Sequence, residues 1–393
     1  MVSPDYSGGS IVNLASSVLA AFDVEPATSP CRQELLPGDT LRAPGGVALL
    51  VLDGLGHAQL SHALESGRIP FFASLIERAP RGLQQLTSVF PSTTTVALQS
   101  LATAQTPAVH GVLGHLMYLE ELGHTCDLLR FTTVGTEPRR IDEEILAVQP
   151  TVYQRLAEVG VPSWLITNAE YEGSSFTSLL QRGSSLAAFT AQSQVAYVLE
   201  QSCQDNAGGH GFYSIYWPNI DSLSHRHGPN LAGARSEGCL REMEFIDLML
   251  SQIAETCRRH LLSLVILADH GQTPLQPQRA LRLNGEIAEL LDRPPGGGRR
   301  VPYLSSPEPA ALMANPDLIA AAQLIPADAA IAAGWFGGDC EEYRSRLGDV
   351  IAIAGKGRQL LYDYGHGAYE QLGSHGGLTR EEMIVPLVAI PAW

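Results

Sequence analysis

The stretch Leu261-Leu262-Ser263-Leu264-Val265-Ile266-Leu267-Ala268-Asp269-His270-Gly271 decides how this chain is read. A short apolar run that ends on a polar pair suits a strand buried on both faces, as a parallel sheet requires. Asp269 and His270 then stand at the mouth of that strand. One carboxylate oxygen and one imidazole nitrogen together hold a metal cation, a donor pair that suits zinc. Taken alone, the same residues also describe a polar strand-to-loop corner closed by Gly271.

The pattern returns elsewhere. Val47 to Leu52 is wholly apolar and ends on Asp53-Gly54, and Phe212 to Trp217 ends at Pro218-Asn219-Ile220-Asp221. Ser163 to Thr167 is a further run, preceded by the helical stretch Val152 to Val159. From Leu240 to Thr256 the apolar positions give one broad helical face. Strands alternating with helices predict an α/β fold with a doubly wound, mostly parallel central sheet flanked by helices. Ligands of such sheets bind outside the carboxyl ends of the strands, where the acidic residues fall.

One domain spanning residues 1–393 accommodates this rhythm, which breaks between residues 273 and 349. That segment mixes Pro, Gly and Ala and includes Arg293-Pro294-Pro295-Gly296-Gly297-Gly298-Arg299-Arg300, a loop by composition. It reads as a cap inserted on the strand-end face. The first forty residues read as a surface-packed extension.

Lys and Arg number 25 against 41 Asp and Glu, a net charge of −16, which argues against a nucleic-acid polymer or an anionic membrane as partner. Ile11 to Phe22 is too short to span a bilayer and is broken by Asn13, Ser16 and Ser17. Asp5 is the only charge before it, so a secretory signal is not expected and a cytoplasmic location is. The six scattered cysteines read as free thiols.

Asp221 and His225 are four residues apart, so a helix after the strand would aim both the same way. The plainer alternative makes Asp221 a helix N-cap and His225 an exposed residue. Gly373-Ser374-His375-Gly376-Gly377 sets a histidine among small neighbours that let backbone approach closely. In Phe90-Pro91-Ser92-Thr93-Thr94-Thr95, Pro91 and the hydroxyl cluster mark a helix N-terminus, whose free amides favour an anion. A threonine there is a cap, or, beside metal ions, a nucleophile.

From about Val47 to Ile390 these motifs, in this order, resemble the alkaline phosphatase superfamily, and within it the type I phosphodiesterase and nucleotide pyrophosphatase branch. The resemblance implies two divalent metal ions, zinc or alternatively manganese. Asp53, Thr94, Asp269 and His270 would surround one of them, and Asp221, His225 and His375 the other. The family's nucleophile precedes a Thr-Gly-x-x-Pro-x-x-His-Gly stretch at fixed spacing; Thr103-Ala104-Gln105-Thr106-Pro107-Ala108-Val109-His110-Gly111 is its counterpart and selects Thr94, with Ala104 in place of the glycine.

His115 stands where many nucleotide pyrophosphatases carry an asparagine that contacts phosphate, and it would donate to a phosphate oxygen or cap the site sterically. Thr95 replaces a bulky aromatic that helps form a nucleobase slot. The activity implied is hydrolysis of a small phosphorylated substrate through a phosphothreonine intermediate, as a phosphodiesterase or pyrophosphatase first, a monoesterase or phosphonate hydrolase second. A sulfatase would need a Cys/Ser-x-Pro-x-Arg context, absent here, and cofactor-independent phosphoglycerate mutase uses serine in a longer chain. The alternative of another class is a metal-binding protein without turnover.

Other polar residues take plainer readings. His57 is expected beside the site or in solvent, His227 off the His225 face, and His366 near the site in sequence. Arg299, Arg300, Lys356 and Arg358 read as hydrated basic residues, with a substrate's negative tail as the alternative.

Overall fold

The computed structural model describes residues 1–207, 209–231, 233, 236–365, 367 and 369–392, so His366 lies outside the described residues. Seven strands build the central sheet: β1 (Gly46–Leu52), β2 (Gln84–Thr87), β3 (Ser163–Asn168), β4 (Ser185–Phe189), β5 (Gly211–Trp217), β6 (Leu262–Leu267) and β7 (Ile384–Ile390). Their spatial order is β2-β7-β6-β1-β5-β3-β4. Strands β6, β1, β5, β3 and β4 run parallel. β7 runs antiparallel between β6 and β2. Every residue of β1, β6 and β7 is buried, which is why these strands read as unbroken apolar runs without alternation. The expected doubly wound α/β sheet is present, and the four apolar runs read from the sequence are four of its seven strands, β1, β3, β5 and β6.

The N-terminal extension is a correction. Ile11–Ala21 is a helix with all but one residue buried, packed against the helix Thr94–Thr103. Apolar residues at almost every position leave it no polar face, the signature of an interior helix rather than a surface one. Its small polar residues satisfy themselves locally: Asn13 Nδ2 donates to the carbonyls of Tyr6 (2.9 Å) and Ser29 (2.7 Å), and Ser17 Oγ donates to the Asn13 carbonyl (2.9 Å). Among the described residues no helix is long and apolar enough to cross a membrane.

A second sheet of seven short strands has the spatial order Ala322–Pro326, Val350–Ala354, Pro302–Leu304, Gly296–Gly297, Leu116–Leu119, His124–Asp127 and Thr132–Thr133. All its pairings are antiparallel. Segment 273–349 thus shares this sheet with strands from residues 116–133 and 350–354. Within the Arg293–Arg300 stretch, Gly296 and Gly297 are strand and not loop: Gly297 pairs with both Pro302 and Leu116. Nor is Arg300 hydrated. It is fully buried and its Nε donates to Glu382 Oε1 over 2.9 Å.

Candidate metal centre

Three parallel strands end side by side. Leu52 is paired with Trp217 and Val51 with Leu267, so the residues that follow β1, β5 and β6 are neighbours. The Asp53 amide donates to the Trp217 carbonyl (2.9 Å), and the Asp221 amide to the Asp53 carbonyl (3.1 Å). Close approach here depends on Gly54, at φ +76°, where a Cβ would stand 2.9 Å from the Asp221 Cα. Gly271 serves likewise after His270, since a Cβ there would meet the Glu381 carbonyl oxygen at 2.0 Å.

Asp221 and His225 lie on the helix Asn219–His227, whose N-cap is Pro218, so Asp221 belongs to the first turn and is not the cap. The four-residue spacing brings His225 Nε2 to 3.2 Å from Asp221 Oδ2. His227, on another face of the same helix, is exposed. His375 arrives from the far end of the chain, where Gly373–Ser374 pairs with Thr273–Pro274 beyond β6. Its Nε2 stands 3.4 Å from Asp221 Oδ1. His270 Nε2 lies 3.3 Å from Asp53 Oδ1 and 3.4 Å from Asp269 Oδ2. The rings of His270 and His375 stack, 3.8 Å between centroids at 14°.

The three imidazoles are oriented alike. His225 Nδ1 contacts the Gly373 carbonyl (2.8 Å), His375 Nδ1 the Ser92 carbonyl (3.0 Å) and His270 Nδ1 the Gly271 carbonyl (3.1 Å). A carbonyl only accepts, so each Nδ1 carries the proton and each Nε2 lone pair faces the site, the orientation metal-binding histidines require.

The carboxylates are poised in the same sense. Asp269 Oδ1 accepts from the amides of Gly54 (3.1 Å) and His270 (2.9 Å), and Asp53 Oδ2 accepts from the Tyr216 hydroxyl. Asp53 Oδ1 and Asp269 Oδ2 are buried without any hydrogen-bond partner. Two orphaned acceptors among lone-pair-bearing imidazoles fit a cation and little else. The donors form two sets whose ligand atoms all lie within 4.8 Å of one another: Asp221, His225 and His375, and Asp53, Asp221 and His270. Asp221 stands in both.

Protonation follows the same logic. Burial, then the charges of Asp269 and Asp221, pushes the Asp53 carboxyl well above the usual range, and burial raises Asp269 as well. Burial also works against the Asp221 carboxylate, yet His225, by its charge and its hydrogen bond, leads the effects that more than offset it and hold the pKa below the ordinary value. His375 is held well below the usual imidazole range by burial and by His270, and so stays neutral.

Thr94 opens the helix Thr94–Thr103, with Thr93 as N-cap. Its Oγ1 lies 3.1 Å from His270 Nε2. Thr95 is fully buried, and its hydroxyl donates to the Gly114 carbonyl (3.2 Å) rather than facing the site. That bond fixes the segment carrying His115, whose Nε2 lies 3.7 Å from Asp127 Oδ1 and which stands outside both ligand sets. Burial pushes the His115 pKa down, and Arg299 and Arg130 add to this against the pull of Asp127. Ala104, where the family has glycine, closes the helix in the left-handed region at φ +54°. Glycine is the residue that conformation favours.

His57 sits at the start of the helix His57–Glu65, with Nε2 3.3 Å from Gln85 Nε2, and belongs to neither set. Lys356 is exposed, Arg299 stacks its guanidinium 4.0 Å over the Tyr369 ring, and Arg358 donates to the Arg279 carbonyl (3.1 Å). Sequence reasoning missed Tyr216, Gln272, whose Nε2 donates to Asp221 Oδ1, and Ser92, which orients His375. Tyr216 had a signal: two-residue alternation along β5 puts it on one face with Phe212 and Ser214.

Carboxylates and imidazoles that could hold metal ions lie at the C-terminal ends of a doubly wound sheet, near a threonine at a helix N-terminus, and similarity to known proteins makes this a phosphoric ester hydrolase of the alkaline phosphatase superfamily. The chain belongs to the type I phosphodiesterase / nucleotide pyrophosphatase family, whose model matches residues 47–378, and that family is metal-dependent. No curated protein matches the sequence. Solved structures similar to it include murine ectonucleotide pyrophosphatase / phosphodiesterase 5, an inactive threonine-to-alanine form in complex with AMP (TM-score 0.65, 16% identity, 88% of this chain and 87% of that one). Phosphonoacetate hydrolase from Sinorhizobium meliloti 1021, in complex with phosphonoformate, is similar to the same degree (TM-score 0.64, 19% identity, 88% and 90% coverage).

Proposed function

We propose that this protein hydrolyses a small phosphodiester or pyrophosphate through a phosphothreonine intermediate on Thr94, with two divalent cations, zinc or manganese, held by the seven residues named from the sequence. The observation that carries the reading is the Thr94 hydroxyl at a helix N-terminus, 3.1 Å from His270 Nε2 and beside the orphaned oxygens of Asp53 and Asp269. Asp53, Asp269 and His270 with Thr94 would hold one cation and Asp221, His225 and His375 the other. When bound, such cations stabilise charge on phosphoryl oxygens and lower the pKa of the groups they touch.

The chain's own residues do the rest. Thr94 Oγ1 gives up its proton to water and forms a bond to phosphorus as the bond to the leaving oxygen breaks in line with it, and the leaving oxygen takes up a proton from water. The free amides at the start of Thr94–Thr103 and the helix dipole favour the phosphoryl oxygens. His115, neutral, has one N–H to donate to the same group. Water then attacks phosphorus, the Thr94 Oγ1–phosphorus bond breaks, and a proton returns to the threonine. Without cations the Asp221 carboxylate faces a phosphate with no counter-charge, so binding of substrate depends on metal.

A phosphonate hydrolase is the second reading. The phosphonoacetate hydrolase likeness favours it, as does Thr95, which is turned inward where a nucleobase slot would begin. The test compares a diester, a monoester and a phosphonate on one preparation, with Thr94→Ala alongside. Retention of wild-type turnover of bis-p-nitrophenyl phosphate by Thr94→Ala overturns the nucleophile, and a labelled phosphothreonine trapped by acid quench supports it.

A further inference from the structure

The helix Glu237–Arg259 carries more apolar surface than its own chain covers. Met243, Ile246, Leu250 and Ile253 are buried, where the helix packs on β6 and on the helices Pro70–Arg78, Val195–Asp205 and Asn219–His227. Phe245 and Leu248, on its outer side, remain 58% and 59% exposed. A helix laid on a sheet turns one apolar stripe inward and a polar face outward, so an exposed phenylalanine and leucine one turn apart on the outer face call for a reason.

Their setting supplies one. Arg241, Phe245, Leu248, Gln252, Glu255 and Arg259 follow one another at alternating steps of four and three residues, and all six are exposed. That is the a/d spacing by which two helices pack along a common seam. The middle of the seam is apolar and its ends are charged, and the charges select how a second helix lies on it. A parallel copy would set Arg241 against Arg241 and Glu255 against Glu255. In an antiparallel copy with Phe245 opposite the partner's Leu248, Arg241 and the partner's Glu255 stand about one turn apart along the axis. Side chains lean towards the N-terminus of their own helix, so in this arrangement the two lean towards each other. The same holds for Glu237 and the partner's Arg258. In the single chain these charges meet only surface neighbours: Arg241 pairs with Glu237 and Glu244 (3.0 Å each), Arg258 with Glu255 (2.8 Å), and Glu237 also with Arg68 (3.0 Å). Exposed pairs of this kind contribute little, and they exchange partners at small cost.

We infer that a second copy of this chain docks on the Phe245 and Leu248 face through its own Phe245 and Leu248, the two Glu237–Arg259 helices lying antiparallel about a two-fold axis. Such a contact is isologous and closes on itself, so it gives a dimer and nothing larger. One helix seam from each copy falls at the small end of specific interfaces, below about 1,200 Å² in total, and the dissociation constant is expected to be on the order of 10 µM. The inference is independent of the chemistry proposed at Thr94.

Sedimentation velocity of the full chain, from about 1 to about 300 µM, spans that constant. The weight-average mass is expected to climb from 42.1 kDa towards twice that value, and a mass that stays at 42.1 kDa throughout overturns the inference. Phe245→Glu and Leu248→Glu change exposed positions, so the fold, followed by circular dichroism, should persist while dimerisation weakens at least about ten-fold. A dimer that both variants leave intact uses another surface and overturns the inference as well. The pairing itself is read by a charge exchange: Arg241→Glu and Glu255→Arg should each weaken the dimer about three- to ten-fold, and the double variant should return to within about two-fold of wild type. Harmless single variants, or a double variant weaker than either, overturn the antiparallel arrangement. A chain that stays monomeric but co-sediments with phosphatidylcholine vesicles would give this face to a lipid surface, again against the second copy.

Discussion

Arg300 and Glu382 form an ion pair in which neither side chain is exposed: Arg300 Nε donates to Glu382 Oε1 over 2.9 Å and its second nitrogen to Oε2 over 3.1 Å. Arg300 precedes a strand of the second sheet, and Glu382 precedes β7 of the first. Glu382 Oε1 also accepts from the Gly377 amide (3.0 Å), two residues beyond His375. One buried pair therefore ties both sheets to the loop that carries His375, a proposed metal ligand.

Breaking the pair from one side leaves a buried guanidinium without its counter-charge. Glu382→Gln is expected to lower unfolding free energy by about 3–5 kcal/mol in urea, whereas the double replacement Arg300→Met with Glu382→Leu loses less. Equal losses in single and double variants would show that the charge pairing is not the source.

The same pair gives the fold an acid limit. Burial alone would raise the Glu382 carboxyl, but Arg300 and the donors at Gly377 and Thr379 outweigh it and hold the pKa below the ordinary 4.5. A carboxyl depressed in the folded state contributes stability that is fully present above its unfolded value and is lost as pH falls through the folded one. In metal-free protein, the stability difference between wild type and Glu382→Gln should be constant at neutral pH and shrink as pH drops below 4.5. A difference that grows in acid would reverse the assigned direction.

Metal removal should be felt in stability as well as activity. Each site filled at 100 times its dissociation constant adds about 2.7 kcal/mol, more where cations also relieve the mutual repulsion of Asp53, Asp221 and Asp269. Wild type is expected to hold two zinc ions per chain by metal analysis, and His225→Ala and His270→Ala one each. Two ions retained in either variant would remove that histidine from the ligand set.

How much of this was legible follows from where the information sits. Asp53, Asp221 and Asp269 each follow a run of buried apolar residues, so strand and ligand are read from one local stretch, and the parallel register then lines them up. The glycine-rich setting of His375 marked it as able to approach a site closely, but only the resemblance gave it a ligand's role, because its neighbours come from residues 92 and 221. Ile11–Ala21 was misplaced because apolar residues on all sides erase the periodicity that distinguishes a packed helix. Arg300 was misread for a related reason: its partner is 82 residues away, and composition around it says loop.

Tyr216 orients Asp53, a proposed metal ligand, without being one. Burial and the adjacent Asp53 push the Tyr216 hydroxyl well above its usual pKa, so it remains a donor to Asp53 Oδ2. Tyr216→Phe keeps the ring and removes that donor. Metal affinity at the Asp53 site is expected to fall about 10- to 100-fold, the usual consequence of losing a partner of a ligating group, with little change at the Asp221, His225 and His375 site. Competition with a chelator of known affinity reads both, and unchanged affinity would reduce Tyr216 to a packing residue.

His115 is the residue proposed to join phosphate contact to substrate choice. The Thr95 hydroxyl holds the preceding Gly114 carbonyl, so the imidazole is placed by the same helix that carries Thr94. Because burial and the neighbouring arginines lower its pKa, it presents one N–H and no charge near neutrality. A hydrogen bond to a charged oxygen is worth about 1.5–3 kcal/mol, so His115→Ala should lower kcat/KM for a diester roughly 10- to 100-fold while leaving the number of bound metal ions unchanged. His115→Asn restores a neutral donor and should recover most of that loss. If alanine and asparagine behave alike, His115 shapes the entrance by bulk alone, and if alanine is faster, it blocks the entrance.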